Sequence, residues 1–280
     1  MCRHLGYVGA PVAVGELLTR GMHSLREQSW APREMRGGGT INADGFGAAW
    51  WRPATDGVAV SRYRNREPIW SDPAVTEVLG QLVSPAVLGS VRSATVGMPV
   101  ERSACAPFTT GRWAFSHNGV VPRWRQVLSA VSADLDVAAT RSGATRLFET
   151  ARLLDAEAAT DAATLWVLLA DLIASAESGG YGDDPETAVR LLVEAVLRHE
   201  PAARLNFLLC DGTRLLATTV YHSLSALVTD EFAILSSEPY DDDPRWQPIP
   251  DHCLVRAEPG RLAVEPLTGV PAAHTERPLA

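Results

Sequence analysis

The order of strand-prone and helix-prone segments most constrains the fold of this 280-residue chain. Short apolar runs, broken by glycine, proline and polar turns, predict early strands near 2–9, 45–52, 57–64, 86–94 and 112–117. The pattern becomes helical around 144–200, and strands return near 224–229, 232–236, 252–257 and 261–266. Because strands flank a helical block without regular alternation, we expect sheets covered by helices in a layered sandwich, and not a doubly wound βαβ repeat.

Two stretches carry the clearest local signals. The segment 186–200, ETAVRLLVEAVLRHE, repeats apolar residues on one helical face, with Asp184 as the predicted N-cap and Pro185 at the first helical position. A second helix, roughly 161–176, is apolar on most faces and should be largely buried. Between two later apolar runs, the pair Asp211-Gly212 predicts a tight hairpin turn, since both residues accept positive φ angles.

The charge composition excludes several classes of function. A net charge of −8 argues against a nucleic-acid partner, because binding to phosphate backbones depends on a surplus of cationic groups. All 25 basic residues are arginine, and the sequence contains no lysine. A lysine of a phosphate-binding loop, a pyridoxal Schiff base and a lysine general base are therefore excluded.

The cysteines and the apolar segments bear on metal binding and location. Cys2, Cys105, Cys210 and Cys253 are widely spaced and form no metal-ligand pattern, so we expect no metal and free thiols in a reducing cytoplasm. The most apolar stretch, LWVLLADLIASA, is too short to cross a bilayer and contains Asp171. The start of the chain lacks the features of a signal peptide, and we expect no membrane partner.

Cys2 directly follows the initiator methionine. Removal of Met1 would give one residue both a thiol and a free α-amine. An amine that titrates near pH ~8 can accept a proton from a thiol of pKa ~8.5 at little cost. The sequence thus offers a nucleophile and its base in a single residue, although cysteine at this position has no such role in many proteins.

Two further motifs fit acyl-transfer chemistry. In SHNG, residues 116–119, the Asn118 amide and the Gly119 backbone N–H could stabilise the oxyanion of a tetrahedral intermediate. In VRSATVGMP, residues 91–99, Arg92 follows a buried strand and could hold a substrate carboxylate with two hydrogen bonds. The alternatives are a hairpin turn for Asn-Gly and a structural ion pair for Arg92.

Taken in order, MCRHLG, NADGFG, VRSATVG, APF and FSHNG resemble the glutaminase domain of class II glutamine amidotransferases, which are N-terminal nucleophile hydrolases. The motifs cover about 1–150. The resemblance implies an α+β fold, a four-layer αββα sandwich, formed by one domain over 2–270 with a loose tail at 271–280. It further implies Cys2 as the nucleophile, Arg92 as the clamp on the substrate α-carboxylate, and Asn118 with Gly119 as the oxyanion hole. NADGFG, residues 42–47, is interpreted as scaffold near the site.

Within that family, segments along nearly the whole chain are similar to the γ-glutamyl hydrolases of ergothioneine biosynthesis. This similarity implies hydrolysis of a small-molecule substrate, γ-glutamyl-hercynylcysteine sulfoxide, without a cofactor. Two alternatives stay open: a γ-glutamyl hydrolase or transferase acting on another metabolite, and a degenerate binding module. The sequence does not fix the oligomeric state, and a homo-oligomer stays open.

The chain departs from the family pattern where an aspartate usually contacts the substrate α-ammonium group. The stretch 139–150, ATRSGATRLFET, offers Ser142 or Gly143 at that place. Loss of the charge-assisted contact would cost roughly 1.5–3 kcal/mol. Asp134 or Asp136 could substitute, the substrate could lack a free α-amine, or the activity could belong to a related pathway. Ser90 also replaces a histidine found in many amidotransferases.

The loop 238–246, EPYDDDPRW, places three aspartates between Tyr240 and Trp246. Our hypothesis is that these aromatic rings and acids receive a cationic leaving group, such as a trimethylated histidine, through charge and cation–π attraction. The alternative is a solvated turn whose acids cap neighbouring backbone groups. His4 and His117 lie beside the expected site residues, and we interpret both as structural.

Overall fold

The computed structural model describes residues 2–36, 41–55, 57–144, 147–148, 152 and 154–267. Its β-strands are β1 (Arg3–Ala13), β2 (Phe46–Ala54), β3 (Gly57–Asn65), β4 (Val83–Val91), β5 (Phe108–Thr110), β6 (Trp113–Val120), β7 (Arg204–Cys210), β8 (Leu215–Thr219), β9 (Ser225–Val228), β10 (Phe232–Ser236), β11 (Gln247–Pro248), β12 (Cys253–Glu258) and β13 (Arg261–Pro266). Its α-helices are α1 (Val14–Thr19), α2 (Leu25–Gln28), α3 (Ala74–Glu77), α4 (Trp124–Arg141), α5 (Asp161–Glu177) and α6 (Pro185–His199).

The strands form two antiparallel sheets. The first contains seven strands in the order β11-β9-β10-β1-β4-β2-β3, and the second contains six in the order β13-β12-β8-β7-β6-β5. The long strand β1 lies inside the first sheet, paired with β10 on one side and β4 on the other. Across the sandwich it contacts β6, β7 and β8 of the second sheet. The first strand of the chain is therefore an interior strand of its sheet that faces the second sheet.

Three apolar cores separate four layers. Inward side chains of both sheets, such as Val8, Leu88 and Leu208, form the core between the sheets. The outer face of the second sheet packs against α4, α5 and α6, and the outer face of the first sheet packs against the short helices α1 to α3. Since side chains alternate along a strand, each sheet can bury both of its faces in this way. The predicted αββα sandwich is confirmed.

The strongest local predictions are confirmed. The Asp184 side chain accepts a hydrogen bond from the Thr187 N–H at 2.7 Å, and Pro185 is the first residue of α6. Helix α5 is buried on most of its surface, as its composition indicates, and Thr160 caps it by accepting from the Ala163 N–H.

The structure differs from the sequence prediction in one element. Helix α4 lies before the stretch that was predicted to be helical; its buried face, which includes Val127, Val131 and Leu135, follows a helical spacing that could have identified it. The hairpin predicted at Asp211-Gly212 is confirmed: it joins β7 to β8, Gly212 alone of the pair has a positive φ, and the Asp211 carboxylate accepts the N–H groups of Thr213 and Arg214. The predicted tail 271–280 lies outside the described residues. No helix in the described ranges is long and apolar enough to cross a membrane.

Candidate active site

Strand β1 brings Cys2 to one end of the space between the sheets. Val8 lies in the inter-sheet core, whereas Leu5 and Tyr7 pack on the outer face of the first sheet. Because strand side chains alternate, Cys2 and His4 belong to the inter-sheet face. Cys2 is half-buried, and its Sγ lies 3.9 Å from the carbonyl oxygen of Ser93.

Arg92 lies directly beyond β4, next to the start of β1. The register that pairs Arg3 with Val91 places the following residue, Arg92, beside Cys2. Its N–H donates to the Gly45 carbonyl at 2.8 Å, and its Nη1 lies 3.5 Å from the main-chain oxygen of Asp44. Within the described part of the chain, no carboxylate lies within 4.0 Å of this guanidinium, which is only 8% exposed. A buried cation without a carboxylate partner favours binding of an anion.

Asn118 lies inside β6 and not in a hairpin turn. It pairs in register with Asn206 of β7, and it shares the inward face with Ala114 of the inter-sheet core. Its side chain is 0% exposed, and neither Nδ2 nor Oδ1 has a hydrogen-bond partner among the residues described. Since buried amides are almost always paired, an unpaired one suggests a group that acts on a substrate.

Gly119 has a packing reason to be glycine. A Cβ at this position would lie 1.9 Å from the carbonyl oxygen of Arg204 on the neighbouring strand. The close approach of β6 and β7 thus excludes any side chain here, whether or not the N–H contacts a substrate. The structure therefore supplies a scaffold explanation for Gly119 beside the predicted catalytic one.

Buried histidines place Asn118 at the same end of the sandwich as Cys2. Burial lowers the pKa of His4 to about 3, and the nearby rings of His117 and His222 lower it further. His222 follows β8, and its carbonyl accepts a hydrogen bond from the Asn206 side chain at 2.8 Å. Burial also lowers the pKa of His222 to about 3. Both rings are therefore neutral at physiological pH and cannot act as charged groups in the site.

A second thiol, that of Cys105, lies near the site but is buried. Its Sγ contacts the Asn65 carbonyl at 3.3 Å, and a Cβ at Gly45 would lie 2.3 Å from that sulfur. Burial raises the pKa of Cys105 to about 11, although the Arg92 charge opposes that shift. Cys105 is a packing residue under the 44–45 turn, and Cys2 is the accessible thiol.

Ser142 is not brought together with Cys2. It ends helix α4 on the outer, helical side of the second sheet, and its hydroxyl donates to the Ala139 carbonyl at 2.7 Å. It borders a cavity of about 480 Å³ formed with the segment between α5 and α6. Of the two substitute acids, Asp134 lies 2.8 Å from the His199 ring, and Asp136 accepts the N–H groups of 147 and 148. The positions 145, 146, 149 and 150 of the departing stretch lie outside the described residues.

Tyr240 and Trp246 also lie away from the inter-sheet face. Tyr240 is 3% exposed in the core on the outer face of the first sheet, and Trp246 packs edge-on against it at 5.3 Å between ring centroids. The Trp246 Nε1 donates to Asp241, and Asp243 pairs with Arg245. Local contacts thus account for the aromatic rings and two acids of this loop, as in the solvated-turn alternative.

The stretch NADGFG, interpreted as scaffold near the site, contains a specific contact of Asp44 that the sequence did not predict. The Asp44 carboxylate accepts the Ala94 N–H at 2.7 Å, and its own N–H donates to the Arg92 carbonyl. An aspartate shortly before a strand usually indicates a turn, so the sequence contained no signal for this contact. No group of three potential ligands for a metal ion occurs among the residues that the structure describes.

Comparison with known proteins identifies the family. The model of the family "Glutamine amidotransferases class-II" matches residues 22–230. The chain is 39% identical to a gamma-glutamyl-hercynylcysteine sulfoxide hydrolase of Mycolicibacterium smegmatis, over 95% of this chain and 100% of that protein. It is 40% identical to the Mycobacterium tuberculosis protein of the same name, over 91% and 92% of the two chains.

Solved structures show the same fold. A class-II glutamine aminotransferase domain protein from Silicibacter pomeroyi superposes with a TM-score of 0.58 at 20% identity, covering 95% of this chain and all of that one. The glutamine phosphoribosylpyrophosphate amidotransferase of Bacillus subtilis gives 0.59 at 14% identity, covering 96% of this chain and 50% of that one. The family match and the extended identity establish that this chain belongs to the class II glutamine amidotransferases.

Proposed function

We propose that this chain hydrolyses the γ-glutamyl amide bond of γ-glutamyl-hercynylcysteine sulfoxide through a thioester on Cys2. The proposal is supported by the placement of three groups on the inter-sheet face, toward the end of the sandwich where β1 begins. They are the accessible thiol of Cys2, the guanidinium of Arg92, which has no carboxylate partner among the described residues, and the unpaired buried amide of Asn118. These are a nucleophile, a receptor for a carboxylate and a donor for an oxyanion.

In the proposed reaction, Arg92 binds the α-carboxylate of the glutamyl group and so directs its γ-carbonyl toward Cys2. After removal of Met1, the α-amine of Cys2 takes the thiol proton, and the sulfur attacks the carbonyl carbon. The Asn118 Nδ2–H and the Gly119 N–H donate to the oxyanion. The protonated amine then gives its proton to the leaving nitrogen, which departs as the thioester forms.

Water completes the reaction. It adds to the thioester, the α-amine of Cys2 accepts one of its protons, and the second tetrahedral intermediate uses the same two donors as the first. Collapse of this intermediate releases glutamate and restores the thiol. Because burial lowers the pKa values of His4 and His222 to about 3, both rings are weak bases, and the α-amine is the base that this arrangement favours.

The substrate assignment is supported by the relatives. Two mycobacterial proteins with this substrate in their names align over nearly their entire lengths. The four free cysteines in the described part of the chain fit a reducing cytoplasm, as we propose. We leave Ser142, Tyr240 and Trp246 out of the proposed substrate contacts, because helix ending and core packing account for their positions.

The test is incubation with synthetic γ-glutamyl-hercynylcysteine sulfoxide, glutamine and γ-glutamylcysteine, with glutamate release followed for the wild type and for Cys2→Ala. We expect release from the sulfoxide with a kcat/KM above that for the other two substrates, and no release by the variant. Cys253→Ala removes a buried thiol from the inter-sheet core and is the matched control, which should keep the activity. Release from glutamine alone would instead favour an ammonia donor, and release from none would exclude the proposed reaction.

Processing of the first residue has its own measurement. With Met1 retained, the nitrogen of Cys2 is an amide and cannot accept a proton. The intact mass of active protein should therefore lack one methionine residue. Full activity in protein that retains Met1 would contradict the proposed base.

A further inference from the structure

We propose that Asp44 is a positioning residue that orients Arg92 and the Ser93 carbonyl toward Cys2. This inference rests on the proposed function, since Arg92 is taken as the clamp on the substrate carboxylate. Asp44 is not itself the nucleophile, an oxyanion donor or the carboxylate clamp. Its contribution acts through the backbone of residues 92–94.

Three hydrogen bonds connect the 44–45 turn to that backbone. The Asp44 N–H donates to the Arg92 carbonyl at 2.9 Å, and the Arg92 N–H donates to the Gly45 carbonyl at 2.8 Å. The Asp44 Oδ2 accepts the Ala94 N–H at 2.7 Å. The first two bonds fix Arg92 itself, and the carboxylate fixes the chain on the other side of Ser93.

The bond to Ala94 also determines the direction of the Ser93 carbonyl. The Ser93 C=O and the Ala94 N–H belong to the same planar peptide group, so holding one end of the plane orients the other. That carbonyl oxygen lies 3.9 Å from the Sγ of Cys2. Asp44 therefore controls, through one rigid peptide, a group in contact with the proposed nucleophile.

Asp44 holds Arg92 in place without neutralising it. The guanidinium lies against the main-chain oxygen of Asp44 at 3.5 Å, and no ion pair forms between the two side chains within 4.0 Å. A direct ion pair would occupy the donors that the substrate carboxylate needs. Because the Asp44 carboxylate bonds to a backbone N–H, it leaves the guanidinium of Arg92 available to a substrate carboxylate.

The segment that Asp44 holds has few other attachments. Residues 95–97 are exposed, and the Met98 N–H bonds only locally to the Thr95 carbonyl. Apart from the Asp44 carboxylate and the sulfur of Cys2, no side chain in the described ranges hydrogen-bonds to the backbone of 93–97. Without the Asp44 carboxylate, this segment should sample several orientations.

The experiment measures L-glutamate binding by titration calorimetry and inactivation by the glutamine analogue 6-diazo-5-oxo-L-norleucine. The variants are Asp44→Ala, Asp44→Asn, Arg92→Ala and the Asp44→Ala/Arg92→Ala pair. Asp44→Ala should weaken glutamate binding and slow inactivation about ten-fold, as loss of one charge-assisted hydrogen bond predicts. Asp44→Asn keeps an acceptor oxygen for the Ala94 N–H and should restore both to near the wild-type values.

Two comparisons separate positioning from a general structural effect. If Asp44 acts through Arg92, its replacement by alanine should add little in the Arg92→Ala background. Asp211→Ala is the matched control, because it removes an aspartate that also accepts backbone N–H groups in a turn, but between β7 and β8. It should lower stability without changing glutamate binding.

Equal losses with Arg92 present and absent, or an Asp44→Asn variant as weak as Asp44→Ala, would overturn the inference. So would a wild type that binds no glutamate, because Arg92 would then not be a carboxylate clamp. A wild type that binds glutamate but does not hydrolyse the sulfoxide would contradict only the proposed substrate. Thermal unfolding of every variant shows whether it is folded. If Asp44→Ala fails to fold, the binding and inactivation of Asp44→Asn test the inference in its place.

Discussion

Replacing Asn118 should reduce kcat strongly and change the stability of the fold little. The side chain is fully buried and its amide has no partner among the described residues, so Asn118→Ala removes an unsatisfied polar group that costs about 1–3 kcal/mol. The smaller side chain leaves a cavity that costs a similar amount, and the free energy of unfolding should change by no more than about 1 kcal/mol. Loss of an oxyanion donor should reduce kcat by about 10²–10³, or about 2.7–4 kcal/mol.

Asn206 is the matched control, because it is equally buried and lies opposite Asn118 in the β6–β7 register. Its Nδ2 donates to the His222 carbonyl at 2.8 Å, and its Oδ1 accepts from the N–H groups of Val220 and His222. Asn206→Ala leaves three buried backbone groups unpaired. It should lower the free energy of unfolding by about 3–5 kcal/mol.

Urea unfolding gives the stability of both variants, and glutamate release from the sulfoxide substrate gives kcat at a temperature where each is folded. Of these two asparagines in one strand pair, Asn118 should therefore matter for kcat and Asn206 for stability. An Asn118→Ala variant destabilised as much as Asn206→Ala would refute this difference and make Asn118 structural. A loss of kcat below about ten-fold would equally refute its role as an oxyanion donor.

Four further outcomes follow from the structure. Iodoacetamide at neutral pH should alkylate Cys2 alone in the native protein, because the other thiols are buried and burial raises their pKa values; peptide mass mapping checks this. Arg92→Gln should raise KM by about a hundred-fold, as loss of a two-pronged charged contact predicts, with kcat less affected. The unfolded chain protonates His4 and His222 below about pH 6.5, whereas the folded protein holds them neutral to about pH 3. The free energy of unfolding should therefore fall below pH 6.5 by up to about 1.4 kcal/mol per pH unit for each ring, as urea titrations at several pH values can measure. Tyr240→Leu should cost about 1–3 kcal/mol of stability and leave KM unchanged, because its ring packs in a core.

Each of these outcomes has a result that would contradict it. Modification of a second thiol under native conditions would contradict the closed packing around Cys105. An Arg92→Gln variant with normal KM would return Arg92 to a structural role. Stability that is flat between pH 7.5 and pH 5.5 would mean that the histidines are solvated, since few carboxylates titrate in that window. A raised KM in Tyr240→Leu would restore the cation-binding hypothesis for the 238–246 loop.

The sequence predicts long regular elements well and their connections less well. Helix α6 could be placed because one apolar face, a capping aspartate and an N-terminal proline agree. Helix α4 was missed, although its buried face has helical spacing, because the change from strand to helix was placed about twenty residues too late. At Asp211, residue types predicted the hairpin, but not the hydrogen bonds by which the Asp211 carboxylate holds its turn.

The candidate site shows the same division. Residue types and their order suggested Cys2, Arg92, Asn118 and Gly119, since each carries chemistry that acyl transfer needs. The proposed contact of Ser142 depended on its position in a family motif, and that of Tyr240 on the aromatic and acidic residues of its loop. The structure gives those residues a helix end and a core. Asp44 was read as scaffold because an aspartate in a turn has no chemical signature of its own.

The sequence by itself determined the chemistry that was available: a cysteine directly after Met1, no lysine, a block of helices between strands and the motifs of one family. Tertiary structure decided which groups meet, because strand pairing joins residues that lie about ninety positions apart, such as Cys2 and Ser93. It also decided which polar groups stay unpaired and thus available to a substrate. The physical reason is that burial and hydrogen bonding depend on every layer of the sandwich at once, whereas a motif records only its own neighbours.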